Sequence, residues 1–142
     1  MTSNTSTKKL TGKVALVTGG SRGIGAAIAK RLAQAGAAGA ITYASAQPKA
    51  DKVVRGIESA GGRALAIRAD SADAKAVRNA VAETVRTVAR LDVLVNNAGI
   101  VVVSPLDQFA LDDFDRMVAD THDKLVLGFS AGTRADRFNI DN

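Results

Sequence analysis

A glycine-rich turn near the start of the chain constrains the fold more than any other feature. The apolar run Val14-Ala15-Leu16-Val17 leads into the stretch Thr18-Gly19-Gly20-Ser21-Arg22-Gly23-Ile24-Gly25. A helical pattern follows the turn, with apolar residues on one face at Ile24, Ile28, Leu32 and Ala35. In a strand–turn–helix unit of this kind, backbone N–H groups and the helix N-terminus face an anion, and glycines let the backbone approach it. The stretch therefore predicts a phosphate-binding turn.

The composition fits one domain built around a buried sheet. The chain has 142 residues, of which 46% are hydrophobic and only 4% aromatic, so its core must be aliphatic. An aliphatic core is typical of helices packed on a parallel sheet. There is no cysteine, which excludes disulfides and thiolate metal sites.

The charge distribution and the first residues argue against several classes of partner. The net charge is +5, but the nineteen basic residues are scattered and no aromatic residues lie among them, so we do not expect nucleic acid as a partner. Residues 1–9 lack the apolar stretch of a signal peptide, and no apolar run approaches membrane-spanning length. We expect a cytoplasmic protein with no membrane partner and a disordered lead over residues 1–10.

Strand and helix patterns alternate along the chain. Strands are predicted at residues 13–18, 40–43, 64–67 and 91–95. Helices are predicted over residues 23–35, from Pro48 to the Gly61-Gly62 pair, and after either Ser71 or Asp73, which are alternative N-caps for the third helix. Because such βαβ units have right-handed crossovers, we expect a parallel sheet with strand order 3-2-1-4.

A second motif, Asn96-Asn97-Ala98-Gly99, lies at the end of the predicted fourth strand. It comes one βαβα repeat after the T-G-x-x-x-G-x-G turn, and Asp70 stands after the third strand. Together these residues resemble the short-chain dehydrogenase/reductase family, over residues 11 to about 119. The resemblance implies an α/β, Rossmann-like, doubly wound parallel sheet whose second half is incomplete, with an NADP-binding domain over residues 11–119.

The resemblance also implies a cofactor site at the glycine turn and at the loops that follow the next three strands. Asp70 would reach the adenine amino group, Asn96 would contact the cofactor ribose, and Ala98 and Gly99 would line the cleft. No metal ligand is implied. The implied cofactor-binding residues are Gly19, Ser21, Arg22, Gly23, Ile24, Gly25, Ser45, Asp70, Ser71, Asn96, Ala98 and Gly99.

Charge around the second strand indicates which cofactor the site prefers. An NAD site uses a carboxylate at the end of this strand to bind the ribose 2′-OH, but no acid occurs between Tyr43 and Asp51. Arg22 lies in the turn where a 2′-phosphate would bind, and Ser45 can add a hydroxyl donor. We therefore expect NADP (NADPH) to be preferred over NAD. The alternative is that Arg22 is solvated and binds no ligand.

The resemblance ends near Asp120. Residues 104–118 still look like the family's next loop and helix, with Phe114, Met117 and Val118 on the apolar face. Thr121 then stands at about the position of the family's catalytic Asn, and residues 120–142 form a divergent tail. His122 is expected to be a solvated loop residue, and Ser130 is a poor substitute for the family's catalytic Ser.

The family's catalytic pair, Tyr-x-x-x-Lys, does not occur in this 142-residue sequence. The single tyrosine is Tyr43, in the second strand, and it is followed four residues later by Gln47. No catalytic residue is therefore assigned, and truncation before the catalytic half is expected. The fourth strand would then be an exposed edge open to self-association, unless residues 125–129 pair with it.

Two functions remain open. In the first, the chain belongs to an NADP-dependent oxidoreductase that acts on a small carbonyl or alcohol substrate once the missing half is supplied. In the second, it is a non-catalytic nucleotide-binding remnant or an interaction module with the same half-fold.

Overall fold

The computed structural model describes residues 8–120 of the chain. Within that range, strands and helices alternate as the sequence predicts. The strands are β1 (Val14–Val17), β2 (Ala38–Tyr43), β3 (Ala64–Arg68) and β4 (Val93–Val95), and the helices between them are α1 (Gly23–Gln34), α2 (Gln47–Ser59) and α3 (Ala74–Val88). A 3-10 turn at Leu106–Gln108 and a helix over residues 111–120, here α4, follow β4.

The four strands form one sheet in the order β3-β2-β1-β4. All three pairings are parallel; for example, Leu16 of β1 lies opposite Ala40 of β2 and Leu94 of β4. The predicted strand order is confirmed. Because the strands run in one direction, the segments that leave their carboxyl ends meet along one edge of the sheet.

Two apolar clusters hold the helices on the sheet. On one face, residues of β1, β2, α1 and α2 pack together: Val17, Ile41, Tyr43, Ala26, Ala29, Val53 and Ile57. On the other face, α3 covers a second cluster that includes Leu16, Ala40, Ile67, Ala80 and Val81. Side chains on both faces of β1 are buried, as expected of a central parallel strand.

The start of α1 differs from the predicted helix face. Ile24 is 74% exposed, and Gly25, Ala26 and Ala29 face inward instead. The difference arises because Ile24 lies in the first helical turn, beyond the carboxyl end of β1, where it lines an open cavity.

The alternative caps for the third helix are resolved in favour of Asp73. Its Oδ1 accepts hydrogen bonds from the backbone N–H groups of Lys75 at 2.9 Å and Ala76 at 3.1 Å. Ser71 is buried instead and lines the same cavity as Ile24. Asp73 therefore satisfies two of the N–H groups that a helix leaves unpaired at its start.

The described chain is hydrogen-bonded before residue 11, where the domain was expected to begin. The Leu10 N–H donates to the Ala35 carbonyl at 2.8 Å, and Thr11 N–H donates to the Lys8 carbonyl at 3.1 Å. Residues 8–10, which fall within the expected disordered lead, thus take part in hydrogen bonds with the folded domain. The remaining residues of that lead, 1–7, lie outside the described range.

The far end of the described chain is more exposed than its pattern predicts. On α4, Phe114 is 52% and Val118 is 47% exposed, although both were expected on an apolar face. Within residues 8–120, β4 pairs only with β1, and residues 125–129 lie outside this range. Self-association through this edge stays a prediction. No helix of the described part is both long and apolar enough to cross a membrane.

A carboxylate joins β1 and β4 at their amino ends. Asp92 Oδ2 accepts hydrogen bonds from the Val14 N–H and from Arg90 Nε, both at 2.8 Å. Lys13 Nζ lies 3.8 Å from Oδ1. The Arg90 guanidinium and the Val14 N–H hold the pKa of Asp92 below its usual range, although burial acts in the opposite direction.

We predict that the stabilising effect of Asp92 depends on pH. Because its pKa is lower in the folded than in the unfolded chain, its contribution is complete above the unfolded value of about 4 and is lost as the pH falls through the folded value. Asp92→Asn should therefore lower the free energy of unfolding at pH 7. Urea denaturation of both proteins from pH 7 to pH 3 should show the difference shrinking below pH ~4; a constant difference would contradict this.

Candidate nucleotide-binding site

A cavity of about 380 Å³ opens at the carboxyl edge of the sheet. The segments that follow all four strands contribute to its walls. Every residue that the sequence predicts to bind cofactor lines this cavity, with the exception of Asn96. The neighbouring Asn97 lines it in place of Asn96. The structure thus brings together residues that are up to eighty positions apart in the sequence.

The glycine turn is fixed to the turn after β4 through Thr18. The buried Thr18 Oγ1 accepts hydrogen bonds from the backbone N–H groups of Asn97 and Ala98, both at 3.1 Å. In return, Asn97 Nδ2 donates to the carbonyls of Thr18 at 3.0 Å and Gly19 at 3.1 Å. The two turns therefore hold each other in one conformation.

The same turn is fixed on its other side by β2. The Gly19 N–H donates to the buried Thr42 Oγ1 at 3.1 Å, and the Gly20 N–H donates to the Thr42 carbonyl at 3.0 Å. Threonine is well suited to this position, because its branched side chain fits a strand and its hydroxyl accepts a hydrogen bond. The turn is held between two strands before any ligand binds.

Gly19 and Gly25, at the two ends of the glycine turn, have no room for a side chain. Gly19 has a φ of +64°, and a Cβ there would lie 2.8 Å from Ala98 Cα. A Cβ at Gly25 would overlap the Asn97 amide and the Gly19 carbonyl. These positions explain the spacing of the motif: one glycine permits the left-handed turn, and the other lets α1 approach it.

The donors at the cavity suit a phosphate group. α1 begins after Arg22 without a side-chain cap, and its first turn contains no acidic residue. The first N–H groups of a helix have no partner within the helix, and the helix dipole adds partial positive charge there. Together with the open space beside the turn, this donor set fits the pyrophosphate of a dinucleotide.

Two acidic residues of the described part of the chain line the cavity, and neither belongs to the glycine turn or to α1. Asp70 is exposed, and its Oδ1 accepts a hydrogen bond from the Ala72 N–H at 2.9 Å, which fixes the loop after β3. Asp120, which sequence reasoning did not assign to the site, is 5% exposed and also lines the cavity. Among residues 8–120, no group of three or more His, Cys, Asp or Glu side chains could hold a metal ion.

Sequence reasoning missed the residues that organise the turn. Thr18, Thr42 and Asn97 were not assigned to the site, although all three carry hydrogen bonds within it. A signal was available for Asn97, since paired asparagines in a turn offer amides that can bind nearby backbone groups. Thr121, His122 and Ser130 lie outside the described residues.

Comparison with known proteins gives a consistent result. A family model described as short chain dehydrogenase matches residues 13–126. An uncharacterized oxidoreductase of Methylorubrum extorquens is 46% identical over 127 residues, which make up 89% of this chain and 50% of that protein.

Two solved structures are similar over nearly the same region. A short chain dehydrogenase from Burkholderia cenocepacia in complex with NADP has a TM-score of 0.85 and 53% identity, and the match covers 89% of this chain and 52% of that one. A blue fluorescent protein from a metagenomic library in complex with NADPH has a TM-score of 0.80 and 48% identity, and covers 87% and 51%. The chain thus spans about half the length of these proteins.

We predict that Thr18→Val destabilises the protein. Valine keeps the shape but removes the acceptor shared by two backbone N–H groups, which should lower the free energy of unfolding by about 1–3 kcal/mol. Thr87→Val, at an exposed position of α3, is the matched control and should change it by less than about 0.5 kcal/mol. Urea denaturation measures both. Equal effects of the two substitutions would show that the Thr18 hydroxyl is not important.

Proposed function

The chain belongs to the short-chain dehydrogenase family, and from this premise we propose that it is the cofactor-binding part of an NADP-dependent oxidoreductase acting on carbonyl or alcohol groups. The single observation that carries the proposal is the cavity at the carboxyl edge of the sheet, where the glycine turn meets the loops after β2, β3 and β4. Crevices at this edge are where open α/β sheets bind nucleotides.

We propose that different residues bind the pyrophosphate, the adenine and the ribose of the dinucleotide. The unpaired N–H groups at the start of α1 bind the pyrophosphate. Asp70, whose Oδ1 is already bonded to the Ala72 N–H, uses its other carboxylate oxygen to bind the adenine amino group, with Ser71 beside it. Asn96 is exposed next to the cavity and remains the proposed ribose contact, because the Asn97 amide already binds the carbonyls of Thr18 and Gly19.

The preference for NADP rests on charge at the mouth of the cavity. Arg22 is exposed in the glycine turn, and the loop Ala44–Ala46 that faces the cavity contains no acid. A 2′-phosphate would gain a charge-assisted hydrogen bond there, whereas a 2′-OH would find no carboxylate to bind. The NADP and NADPH held by the two similar structures agree with this proposal.

The nicotinamide cofactor supplies a hydride, and the reaction also needs a proton donor at the carbonyl oxygen. Tyr43 is the only tyrosine, and it packs in the core cluster beside Ile41 and Val53. Gln47 stands where the family motif requires a lysine. We propose that further polypeptide, in the same chain or in a partner, supplies the acid and the substrate-binding surface.

The test of cofactor preference is calorimetric titration of the chain with NADPH and NADH. Arg22→Ala should weaken NADPH binding about tenfold to a hundredfold, as expected for one charge-assisted hydrogen bond, and leave NADH binding nearly unchanged. Arg31→Ala removes the same charge at an exposed position in the last turn of α1 and should alter neither affinity. Equal affinities of the unmutated chain for the two cofactors would contradict the preference, as would an unchanged ratio in Arg22→Ala.

A second test asks whether the chain is only the cofactor-binding half of an oxidoreductase or is catalytically complete. The 142-residue chain should bind NADPH but should not oxidise it above a buffer control with a panel of aldehydes and ketones. The reason is that general acid catalysis contributes about 10²–10⁴-fold, and the Tyr-x-x-x-Lys that supplies the acid in the family does not occur in this sequence. Turnover that scales with protein concentration and disappears in Thr121→Ala or Ser130→Ala would show that the tail is catalytic.

A further inference from the structure

A second arginine lies at the corner where β2 and β3 end. Arg68 is the last residue of β3 and is paired in register with Tyr43, the last residue of β2. Its Nε donates a hydrogen bond to the Ala44 carbonyl at 3.2 Å. The guanidinium is thereby hydrogen-bonded to the first residue of the loop Ala44–Ala46. This loop lines the nucleotide cavity.

The alternation of β3 places Arg68 on the same side of the sheet as the glycine turn. Ala64 and Ala66 pack against the cluster formed with α1 and α2. Arg68 is two residues further on and therefore shares their face, but it is exposed because it lies at the end of the strand. Arg22 is the N-cap of α1, and α1 packs in this same cluster. Arg22 and the loop Ala44–Ala46 line the same cavity, and Arg68 is hydrogen-bonded to the first residue of that loop.

The corner has positive charge and free donors. A guanidinium has five N–H groups, and the bond to Ala44 uses only one of them. Within residues 8–120, Arg68 forms no ion pair. α2 also starts at this corner, and it has neither a side-chain cap nor an acidic residue in its first turn. The helix dipole therefore adds to the positive potential of the two arginines.

We infer that Arg68 is a specificity-determining residue for the cofactor: its bond to Ala44 fixes the loop after β2 and directs its remaining N–H groups to the 2′-phosphate of NADP. The inference rests on the proposed function and extends it, since it assigns the phosphate a second cation from β3, outside the glycine motif. A planar guanidinium can bind two phosphate oxygens at once. Because the Ala44 bond already orders the side chain, less rotamer freedom is lost on binding.

The test compares ligands that differ only in the 2′-phosphate. NADPH and NADH form one pair, and adenosine 2′,5′-bisphosphate and AMP form a second pair without nicotinamide. Their dissociation constants are measured by calorimetry for the unmutated chain, Arg68→Gln and Arg68→Lys. Arg63→Gln is the matched control, because Arg63 is exposed and immediately precedes β3 at the opposite edge of the sheet.

Arg68→Gln should weaken binding of NADPH and of the bisphosphate about tenfold or more, with NADH and AMP changed less than about twofold. The dissociation constants of Arg68→Lys for NADPH and the bisphosphate should lie between those of the unmutated chain and Arg68→Gln. The reason is that an ammonium keeps the charge but cannot bind two phosphate oxygens as a fork. Arg63→Gln should leave all four constants unchanged. Circular dichroism melting identifies any loss of folding.

Two results would overturn the inference while leaving the proposed function intact. One is that Arg68→Gln leaves the dissociation constants of all four ligands unchanged. The other is equal weakening of all four ligands, which would mean that Arg68 only supports the loop. Failure of the unmutated chain to bind either dinucleotide would overturn the proposed function, and the inference with it.

Discussion

The hydroxyl of Thr18 is the point on which the site depends. It accepts two backbone N–H groups from the turn after β4, and the Asn97 amide returns two hydrogen bonds to the glycine turn. Without these bonds, two glycine-containing loops would have to be ordered by a ligand, at a cost in conformational entropy. With them, the cavity is largely formed before binding, as small-molecule sites usually are.

The parallel sheet makes this interaction possible. Thr18 immediately follows β1, and Asn97 follows the neighbouring β4, so that the register of the two strands brings them together. The aliphatic, alanine-rich core lets α1 and α3 cover opposite faces of the central strands. The amino ends of β1 and β4 are joined separately by Asp92. The two strands are therefore held together at both ends. The loops that line the cavity project from their carboxyl ends.

Local sequence was enough to predict most of the fold and many of the residues that line the candidate site. Apolar runs, glycine turns and the alternation of strand and helix patterns predicted the strand order, because each of these signals lies within a few neighbouring residues. The missed features depend on contacts between distant segments. Whether Asn96 or Asn97 faces the glycine turn depends on the register of β4, and Arg68 meets Ala44 only because β3 pairs with β2. The exposure of Ile24 similarly depends on where β1 ends.

A second cavity of about 380 Å³ lies at the opposite edge of the sheet, and Lys8, Lys13, Arg63 and Arg90 are among its lining residues. Non-specific attraction of a phosphate would favour this basic cavity. The most direct test of the account is therefore a ¹H–¹⁵N correlation spectrum of the chain titrated with NADPH. We predict saturable shifts at Gly19–Gly25, Ser45 and Ala98–Gly99, with the amides of Gly12 and Arg63 unmoved. Shifts confined to Gly12, Arg63 and Arg90, or no shifts at all, would contradict a nucleotide site at the glycine turn.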